Sequence, residues 1–287
     1  MYNQFFGLRE DPFNLTPDSR FLYLTWAQRR ALAGLTYALL SRKRCVVLTG
    51  DVGTGKTTLI AAALRCLPAD RVRFSVIANP TLTPEELLES ALLGFGVTEI
   101  PSSKPQRWTA LERAVAQEEA QGRVPAVVID EAQKLSLEAL EEVRLLGNLE
   151  AMQVVLAGQK EFHRLLARKE AQPFKQRIAL RLTTDPLSAE EVGEYISHRW
   201  TKAGGTPPGP FEPQAVRTIV LYSGGIPRLI NVICDNALMT ACAEQTARVE
   251  ERHIRQAAAS LDLSGPYEAA EDAEFETGNH KGVLSLR

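Results

Sequence analysis

The sequence lacks any apolar run close to the roughly 20 residues that a membrane-spanning helix requires. Its first residues, MYNQFFGLREDPF, contain no basic segment followed by an apolar core, which a secretory signal peptide would have. These two absences favour a cytoplasmic protein. We expect any attachment to the inner membrane to be peripheral and to depend on a partner, without direct membrane insertion.

Cysteine and histidine are scarce, at four residues each among 287. Cys45, Cys66, Cys234 and Cys242 form no C-x-x-C pair, and no two histidines follow the H-x-x-x-H spacing. This pattern argues against a zinc site or a redox pair and favours buried, reduced thiols. The formal net charge is only −2, so the overall balance gives no reason to expect nucleic acid or an acidic membrane as a partner, although it allows a local basic patch.

The sequence does contain an alternation of short apolar runs and helical patterns. The strand-like runs are residues 45–49, 72–77, 126–130 and 153–157. Helical spacing occurs between them, over residues 56–67, 84–94, 108–121 and 137–149. Short apolar strands separated by helices are typical of a parallel sheet covered on both faces. We therefore predict an α/β core over residues 26–185, opened by a helix that starts at Trp26.

The segments on either side of this core have other patterns. After Pro186 no convincing strand pattern occurs before residue 262, and four helical patterns predict a small all-α domain over 186–262. Residues 1–25 are rich in aromatic residues and turn formers, and we expect them to form an ordered arm that lies on the main domain. The polar, acidic tail of residues 263–287 is predicted to be disordered.

Residues 50–57, GDVGTGKT, fit the P-loop pattern G-x-x-x-x-G-K-[ST]. Glycines let the backbone turn tightly, so that successive N–H groups face one centre and can bind phosphate oxygens. The helix that follows directs its positive end at the same point. Lys56 would reach the β- and γ-phosphates of ATP, and the Thr57 hydroxyl would bind Mg²⁺. The predicted ATP-binding residues of this loop are Gly50, Asp51, Val52, Gly53, Thr54, Gly55, Lys56, Thr57 and Thr58.

The apolar run at 126–130 ends in the acids Asp130 and Glu131. Two acids at the end of a strand are often solvated turn residues. Next to a P-loop, however, they predict that Asp130 holds Mg²⁺ and that Glu131 orients and deprotonates the water that attacks the γ-phosphate.

Three weaker features concern the same chemistry. Gln159 follows the run at 153–157, where its amide could touch the γ-phosphate or the attacking water, or could be a simple turn residue. Arg177 precedes another apolar stretch and could serve as an arginine finger for a neighbouring subunit; Arg181 is a rival, and an ordinary surface arginine is the alternative. Arg228, in the sequence GGIPR, opens a helix of the small domain and could contact the phosphates.

In chain order these motifs resemble the AAA+ ATPases and, more narrowly, the general secretion pathway protein A family. The resemblance extends over about residues 2–262. The residues that carry it are Phe6-Gly7-Leu8, Pro12-Phe13, Phe21-Leu22-Tyr23, residues 49–58, Ile129-Asp130-Glu131-Ala132-Gln133, Leu156-Ala157-Gly158-Gln159, Pro186-Leu187-Ser188 and Gly225-Ile226-Pro227-Arg228.

The resemblance implies a five-stranded P-loop core with a helical lid, and ATP-driven assembly of copies into a ring or filament. It implies sensor roles for Gln159 and Arg228, and an aromatic arm that borders the adenine. By the same analogy, Asn79 would sense the nucleotide state and hold Glu131 away from the water. Secretion members often continue into a transmembrane segment and a peptidoglycan-binding domain, whereas this sequence ends in a short polar tail.

Three functions are compatible with these features. The first is a Mg²⁺-dependent ATPase that assembles or remodels a partner complex in bacterial secretion, pilus formation or envelope polysaccharide export. The second is an ATP-gated DNA-binding regulator of transposition, for which Arg42, Lys43 and Arg44 are possible DNA contacts. The third is a binding module that uses ATP only as a switch. The presence of Lys56, Asp130 and Glu131 argues against it, because a pure switch needs no base.

Overall fold

The computed structural model of the protein describes residues 2–16, 18–68 and 70–263. The tail that is predicted to be disordered therefore lies, apart from residue 263, outside the described residues. The chain divides into two compact units. We call residues 24–185 the sheet unit, and residues 1–23 together with the part of the chain from Pro186 onward the helical unit. No helix among the described residues is both long and apolar enough to cross a membrane.

The regular elements alternate along the sheet unit and become purely helical after it. In chain order they are α1 (Tyr2–Phe6), α2 (Trp26–Leu40), β1 (Cys45–Gly50), α3 (Lys56–Cys66), β2 (Val72–Ile77), α4 (Pro84–Gly94), α5 (Lys104–Ala120), β3 (Val124–Ile129), α6 (Leu137–Leu146), β4 (Gln153–Gly158), α7 (Phe162–Leu166), α8 (Gln172–Lys175), β5 (Leu180–Thr184), α9 (Ala189–Lys202), α10 (Pro213–Ser223), α11 (Pro227–Ala243) and α12 (Glu251–Ser260).

The five strands form one parallel sheet in the order β2-β3-β4-β1-β5. Every residue of β1, β3 and β4 is buried, because helices cover both faces of these central strands. One face packs against α2 and α3, and the other packs mainly against α4, α5 and α6. The predicted α/β class with a parallel, doubly covered sheet is therefore confirmed, and so is the all-α character of the part after Pro186.

Several predicted boundaries differ from the observed ones for local reasons. Helix α5 begins at Lys104 and not at 108, because Ser103 is its N-cap and a proline occupies its first turn. Helix α6 ends at Leu146 because Gly147 is its C-cap. Strand β3 begins two residues earlier than expected and ends at Ile129, which leaves Asp130 just beyond the sheet.

Strand β5 had no counterpart among the strands read from the sequence. Its five residues alternate between more and less exposed positions, as in an edge strand, and contain two threonines. Among the strands that the structure describes, β5 pairs only with β1, in a register that joins Gly50 to Thr184. This pairing places Thr184 directly beside the start of the P-loop.

The helical unit has its own core, built by α9 to α12 together with the first residues of the chain. Four apolar side chains of the N-terminal segment are buried in this core: Tyr2, Leu8, Phe13 and Phe21. The main chain is also fixed there, because the Arg9 N–H donates to the Ala203 carbonyl oxygen at 2.8 Å. We expected this segment to lie on the α/β core. This expectation is corrected, because its rings pack with helices α9 to α12.

Candidate active site

The P-loop connects β1 to α3 at the carboxyl ends of the strands. Gly53 and Gly55 have φ values of +79° and +90°, in the left-handed region that favours glycine. Gly50 is needed for another reason. A Cβ atom at this position would lie 2.1 Å from the Thr184 hydroxyl oxygen and 2.4 Å from the Thr184 carbonyl oxygen. The first glycine therefore permits the close approach of β5, and the later two permit the turn.

Lys56 is the first residue of α3 and is only 6% exposed. Its ammonium group donates to the carbonyl oxygens of Gly50 at 3.0 Å and of Asp51 at 2.8 Å. Burial lowers the pKa of the Lys56 ammonium, and the carboxylates of Glu131 and Asp130 partly oppose this shift. A partly desolvated cation is thus held inside the loop, where it would interact strongly with a phosphate group.

Thr57, Asp130 and Glu131 lie in one chain of contacts between α3 and the end of β3. The Thr57 hydroxyl donates to Asp130 Oδ2 at 2.6 Å, and the Glu131 N–H donates to Asp130 Oδ1 at 2.9 Å. Asp130 is buried, and Glu131 has a φ of +55°, which is uncommon for a residue with a side chain. A hydroxyl and a carboxylate placed together in this way are oxygen ligands of the kind that Mg²⁺ prefers.

Gln159 lies at the end of β4, between the ends of β1 and β3 in the sheet. Its side-chain Nε2 lies 3.4 Å from Glu131 Oε2. Gln133, in the 3-10 turn that follows β3, donates from Nε2 to the same Glu131 oxygen at 2.8 Å. The structure therefore brings the predicted residues Lys56, Glu131 and Gln159 to one edge of the sheet.

Arg177 and Arg181 lie elsewhere in the sheet unit. Arg177 is exposed just before β5, at the opposite edge of the sheet from the P-loop, and its guanidinium donates to Asn148. Together with Arg44 and Arg144 it lines a cavity of about 320 Å³. Arg181 lies within β5, where it pairs with a residue in the middle of β1. The structure does not place Arg177 near the P-loop of its own chain.

Arg228 belongs to the helical unit, where it is the exposed second residue of α11. The turn before it is shaped by Gly225, which has a φ of +75° and whose carbonyl oxygen accepts from the Leu187 N–H at 2.8 Å. A Cβ atom on Gly225 would lie 2.0 Å from the Leu187 carbonyl oxygen. The turn of the GGIPR sequence therefore packs directly against the main chain of Leu187 within the helical unit.

Three residues near the P-loop were not identified from the sequence. The Thr184 hydroxyl lies 2.8 Å from the Thr54 hydroxyl, and Lys160 forms an ion pair with Asp51 at 2.7 Å. The third is Gln133, which lies in the Ile129–Gln133 motif but has no predicted role of its own. Its position two residues after Glu131 is a sequence feature that could indicate a role in the site. No sequence feature indicates that residue 184 contacts residue 54.

Residues 39–166 match a family model described as an AAA domain. Over these residues the chain matches an AAA domain, and the P-loop sequence and the five-stranded parallel sheet agree with an ATPase of this kind.

Among curated relatives, the chain is 39% identical over 274 residues to General secretion pathway protein A of Aeromonas hydrophila. That alignment covers 92% of this chain, which spans about half (49%) of the relative's length. The chain is also 28% identical over 243 residues to the ATP-dependent target DNA activator B of Escherichia phage Mu, covering 83% of this chain and 73% of that protein.

Among solved structures, the ORC2 protein of Aeropyrum pernix, described as ADPNP-ADP complexes, matches with a TM-score of 0.67. The match covers 87% of this chain and 71% of that one, at 16% sequence identity. At this level of identity the likeness concerns the fold alone. The predicted resemblance to the AAA+ ATPases and to general secretion pathway protein A is confirmed by these findings.

Proposed function

We propose that the chain binds ATP with Mg²⁺ at the P-loop, hydrolyses it, and uses the cycle as an oligomer to assemble or remodel a partner complex. The observation that carries this proposal is the chain of contacts that joins Thr57, Asp130 and Glu131, together with the buried Lys56 ammonium inside the adjoining P-loop. Each side chain there has the chemistry that phosphoryl transfer to water requires.

The P-loop residues bind and orient the triphosphate. Main-chain N–H groups of residues 50–58 donate hydrogen bonds to the phosphate oxygens, and Lys56 exchanges its bonds to two loop carbonyls for bonds to the β- and γ-phosphates. Thr57 and Asp130 would hold Mg²⁺. When bound, the ion neutralises charge that develops on the β- and γ-phosphate oxygens.

Glu131 acts on the attacking water. Its carboxylate accepts a proton from the water as the oxygen approaches the γ-phosphorus, and Gln159 orients the same water or the γ-phosphate. Removal of the base by Glu131→Gln keeps the shape of the side chain and the ability to bind ATP. We expect hydrolysis to fall by about 10²-fold to 10⁴-fold in this variant.

The test compares three proteins by phosphate release and by calorimetric titration with Mg·ATP. Wild type should bind and hydrolyse, Glu131→Gln should bind without hydrolysing, and Lys56→Ala should do neither. Hydrolysis by Glu131→Gln at the wild-type rate would show that Glu131 is not the catalytic base. If the wild-type protein binds no Mg·ATP, the proposed ATPase function is refuted.

We further propose that ATP binding drives copies of the chain into a ring or filament, in which Arg177 acts on the site of the neighbouring copy. Its exposed position, at the sheet edge away from its own P-loop, supports a role in trans. Such a finger typically contributes about 10³-fold to 10⁵-fold to the rate.

A mixing experiment tests this assignment. Arg177→Ala retains its own P-loop and Lys56→Ala retains its own Arg177, so each protein alone should be inactive and their mixture should regain part of the wild-type rate. Arg181→Ala is the comparison, because it is the rival residue. If Arg181→Ala and not Arg177→Ala is rescued by mixing, Arg181 is the finger.

Two further assignments belong to the same proposal. Arg228 senses the bound phosphates, and the aromatic N-terminal segment borders the adenine. Arg228→Ala should then change the rate of hydrolysis without changing the thermal stability of the protein, since the side chain is exposed.

The partner is proposed to be a protein of a bacterial secretion, pilus or envelope-polysaccharide system. The support is the similarity to General secretion pathway protein A over 92% of this chain. We propose a cytoplasmic location, with contact to the inner membrane only through that partner. Pull-down with the ATP-trapped Glu131→Gln protein should recover such a partner, and Lys56→Ala should not.

A second candidate function, a DNA-binding regulator of transposition, is favoured by the exposed face of α2. Residues 19–50 contain no Asp or Glu, and the face carries Trp26 and Tyr37, which are 72% and 58% exposed. Cations lie over both rings, with the Arg30 guanidinium 5.0 Å from the Trp26 ring centre and the Lys43 ammonium 6.0 Å from the Tyr37 ring centre. Similarity to the Mu target DNA activator supports the same function.

Duplex DNA binding should be measured by fluorescence anisotropy with Mg·ATP at several salt concentrations. If this face contacts DNA, replacing Arg30 and Lys43 by alanine should make the slope of log affinity against log salt concentration less steep. The change should be about what two phosphate contacts contribute. Arg113→Ala, an exposed cation on α5, is the matched control. Absence of binding at low salt, where phosphate contacts are strongest, would eliminate this function.

A further inference from the structure

The side-chain amide of Gln133 hydrogen-bonds to two residues of the site, although Gln133 has no role in the proposed cycle. Its Nε2 donates to Glu131 Oε2 at 2.8 Å, and its Oε1 accepts from the main-chain N–H of Gln159 at 3.0 Å. An N–H group can only donate, and an ionised carboxylate can only accept. The two partners therefore fix which way the Gln133 amide is turned.

Within the part of the chain that the structure describes, the side-chain contacts of the Glu131 carboxylate all involve Oε2. Besides Gln133, Gln159 Nε2 lies 3.4 Å from Oε2 and Lys134 Nζ lies 3.7 Å from it. The contact with Gln133 is the shortest of these three. Because Gln133 occupies Oε2, the other oxygen of the carboxylate is the one that can face the water.

The end of β4 is packed directly against Gln133. A Cβ atom on Gly158 would lie 3.1 Å from Gln133 Oε1 and 3.3 Å from its main-chain nitrogen, which is closer than side chains normally approach. Because Gln133 Oε1 accepts from the Gln159 N–H, a shift of the main chain at residue 159 either moves the Gln133 amide or breaks this hydrogen bond. Since that amide also holds Glu131, a shift that moves it reaches the carboxylate.

Asn79, the residue that analogy assigns to holding Glu131, has a different contact. Its Oδ1 accepts from the Thr81 N–H at 3.4 Å in a local turn, and the residue is exposed. We infer that Gln133 is the positioning residue that couples the catalytic carboxylate of Glu131 to the main chain of Gln159. This inference rests on the proposed ATPase function, because Glu131 must be the base for its position to affect the rate.

Two substitutions separate positioning from support of the fold. Gln133→Met has a similar length and loses both hydrogen bonds. Gln133→Glu can still accept from the Gln159 N–H, but it replaces the donor to Glu131 by a second negative charge. If Gln133 positions the base, both variants should lose about 10-fold to 100-fold in kcat, while the Kd for Mg·ATP changes by less than about threefold. If Gln133 only supports the end of β4, Gln133→Glu should retain kcat.

Hydrogen exchange at the Gln159 amide gives a readout that does not depend on activity. Without nucleotide, this amide should exchange about tenfold faster in Gln133→Met than in wild type, and close to the wild-type rate in Gln133→Glu. Equal exchange in all three proteins would mean that the contact is absent, and the inference would fail even if ATP is hydrolysed.

Gln106→Met, an exposed glutamine of α5, is the control for the substitution itself and should leave kcat and exchange unchanged. Wild-type protein that neither binds nor hydrolyses Mg·ATP would refute the proposed function, whatever the exchange data show. Normal hydrolysis by Gln133→Glu would refute the role of Gln133 and leave the ATPase function intact.

Discussion

Gly50→Ala tests how the P-loop is anchored to the sheet. The added Cβ atom would lie 2.4 Å from the Thr184 carbonyl oxygen, and ordinary van der Waals contact begins at 3.4 Å. The obstacle is main chain, so no change of side-chain rotamer can remove it. The ends of β1 and β5 must separate by about 1 Å at the register pair that joins residues 50 and 184.

The cost has two parts. Overpacking of this kind costs about 1–3 kcal/mol, and weakening of one hydrogen bond between the strands adds about 1 kcal/mol. We therefore expect the free energy of unfolding of the sheet unit to fall by about 2–4 kcal/mol. The shift also moves the loop that carries Lys56, so Mg·ATP affinity should fall as well.

Urea unfolding followed by far-ultraviolet circular dichroism measures the first effect, and calorimetric titration measures the second. Gly147→Ala is the matched control, because Gly147 has a φ of −68° and an added Cβ atom would come no closer than 3.5 Å to its neighbours. It should be as stable as wild type or slightly more stable. Wild-type stability and affinity in Gly50→Ala would refute the reasoning. Full rescue by Thr184→Ala would show that the hydroxyl, and not the main chain, is the obstacle.

Three other predictions follow from the site and its surroundings. Because burial lowers the pKa of Lys56, the ammonium loses its charge at a lower pH than an exposed lysine, and Mg·ATP affinity measured by titration should decline as pH rises toward about 10. Burial raises the pKa of the Cys45 thiol to about 12, so a thiol reagent at pH 8 should modify exposed Cys66 and leave Cys45 unmodified until the protein unfolds. Cys66→Ser should remove the fast phase of labelling. Fast labelling of Cys45 would contradict its burial. Ser136 caps α6 by accepting from the Ala139 N–H at 3.0 Å, so Ser136→Ala should cost about 1 kcal/mol in urea unfolding while Ser136→Asp should not.

The P-loop could be predicted from sequence because it depends on neighbouring residues. Its glycines, Lys56 and Thr57 lie within a few positions, and the central strand β1 before them is a short apolar run. The acids Asp130 and Glu131 could be predicted as well, because they directly follow another such run. In the structure all of them lie at the carboxyl edge of the sheet.

Other features could not be predicted because they depend on residues far apart in the chain. Strand β5 is short and half exposed, so its composition alone does not distinguish it from a loop, and the proximity of Thr184 to Gly50 follows only from its pairing with β1. The Gln133 contact depends on the turn that brings residue 133 to residue 159. Aromatic composition indicated that the N-terminal segment is buried, but not which helices bury it.

The helical unit is discontinuous in sequence, and this has a consequence for synthesis on the ribosome. Phe6 and Phe13 are synthesised well before Trp200 and Phe211, the rings that they contact edge to face. At about 5–20 residues per second, the roughly 200 residues that separate the rings of each pair take about ten to forty seconds to make. During that interval the aromatic side chains of this segment lack the helices that later bury them, and we expect a chaperone to bind them.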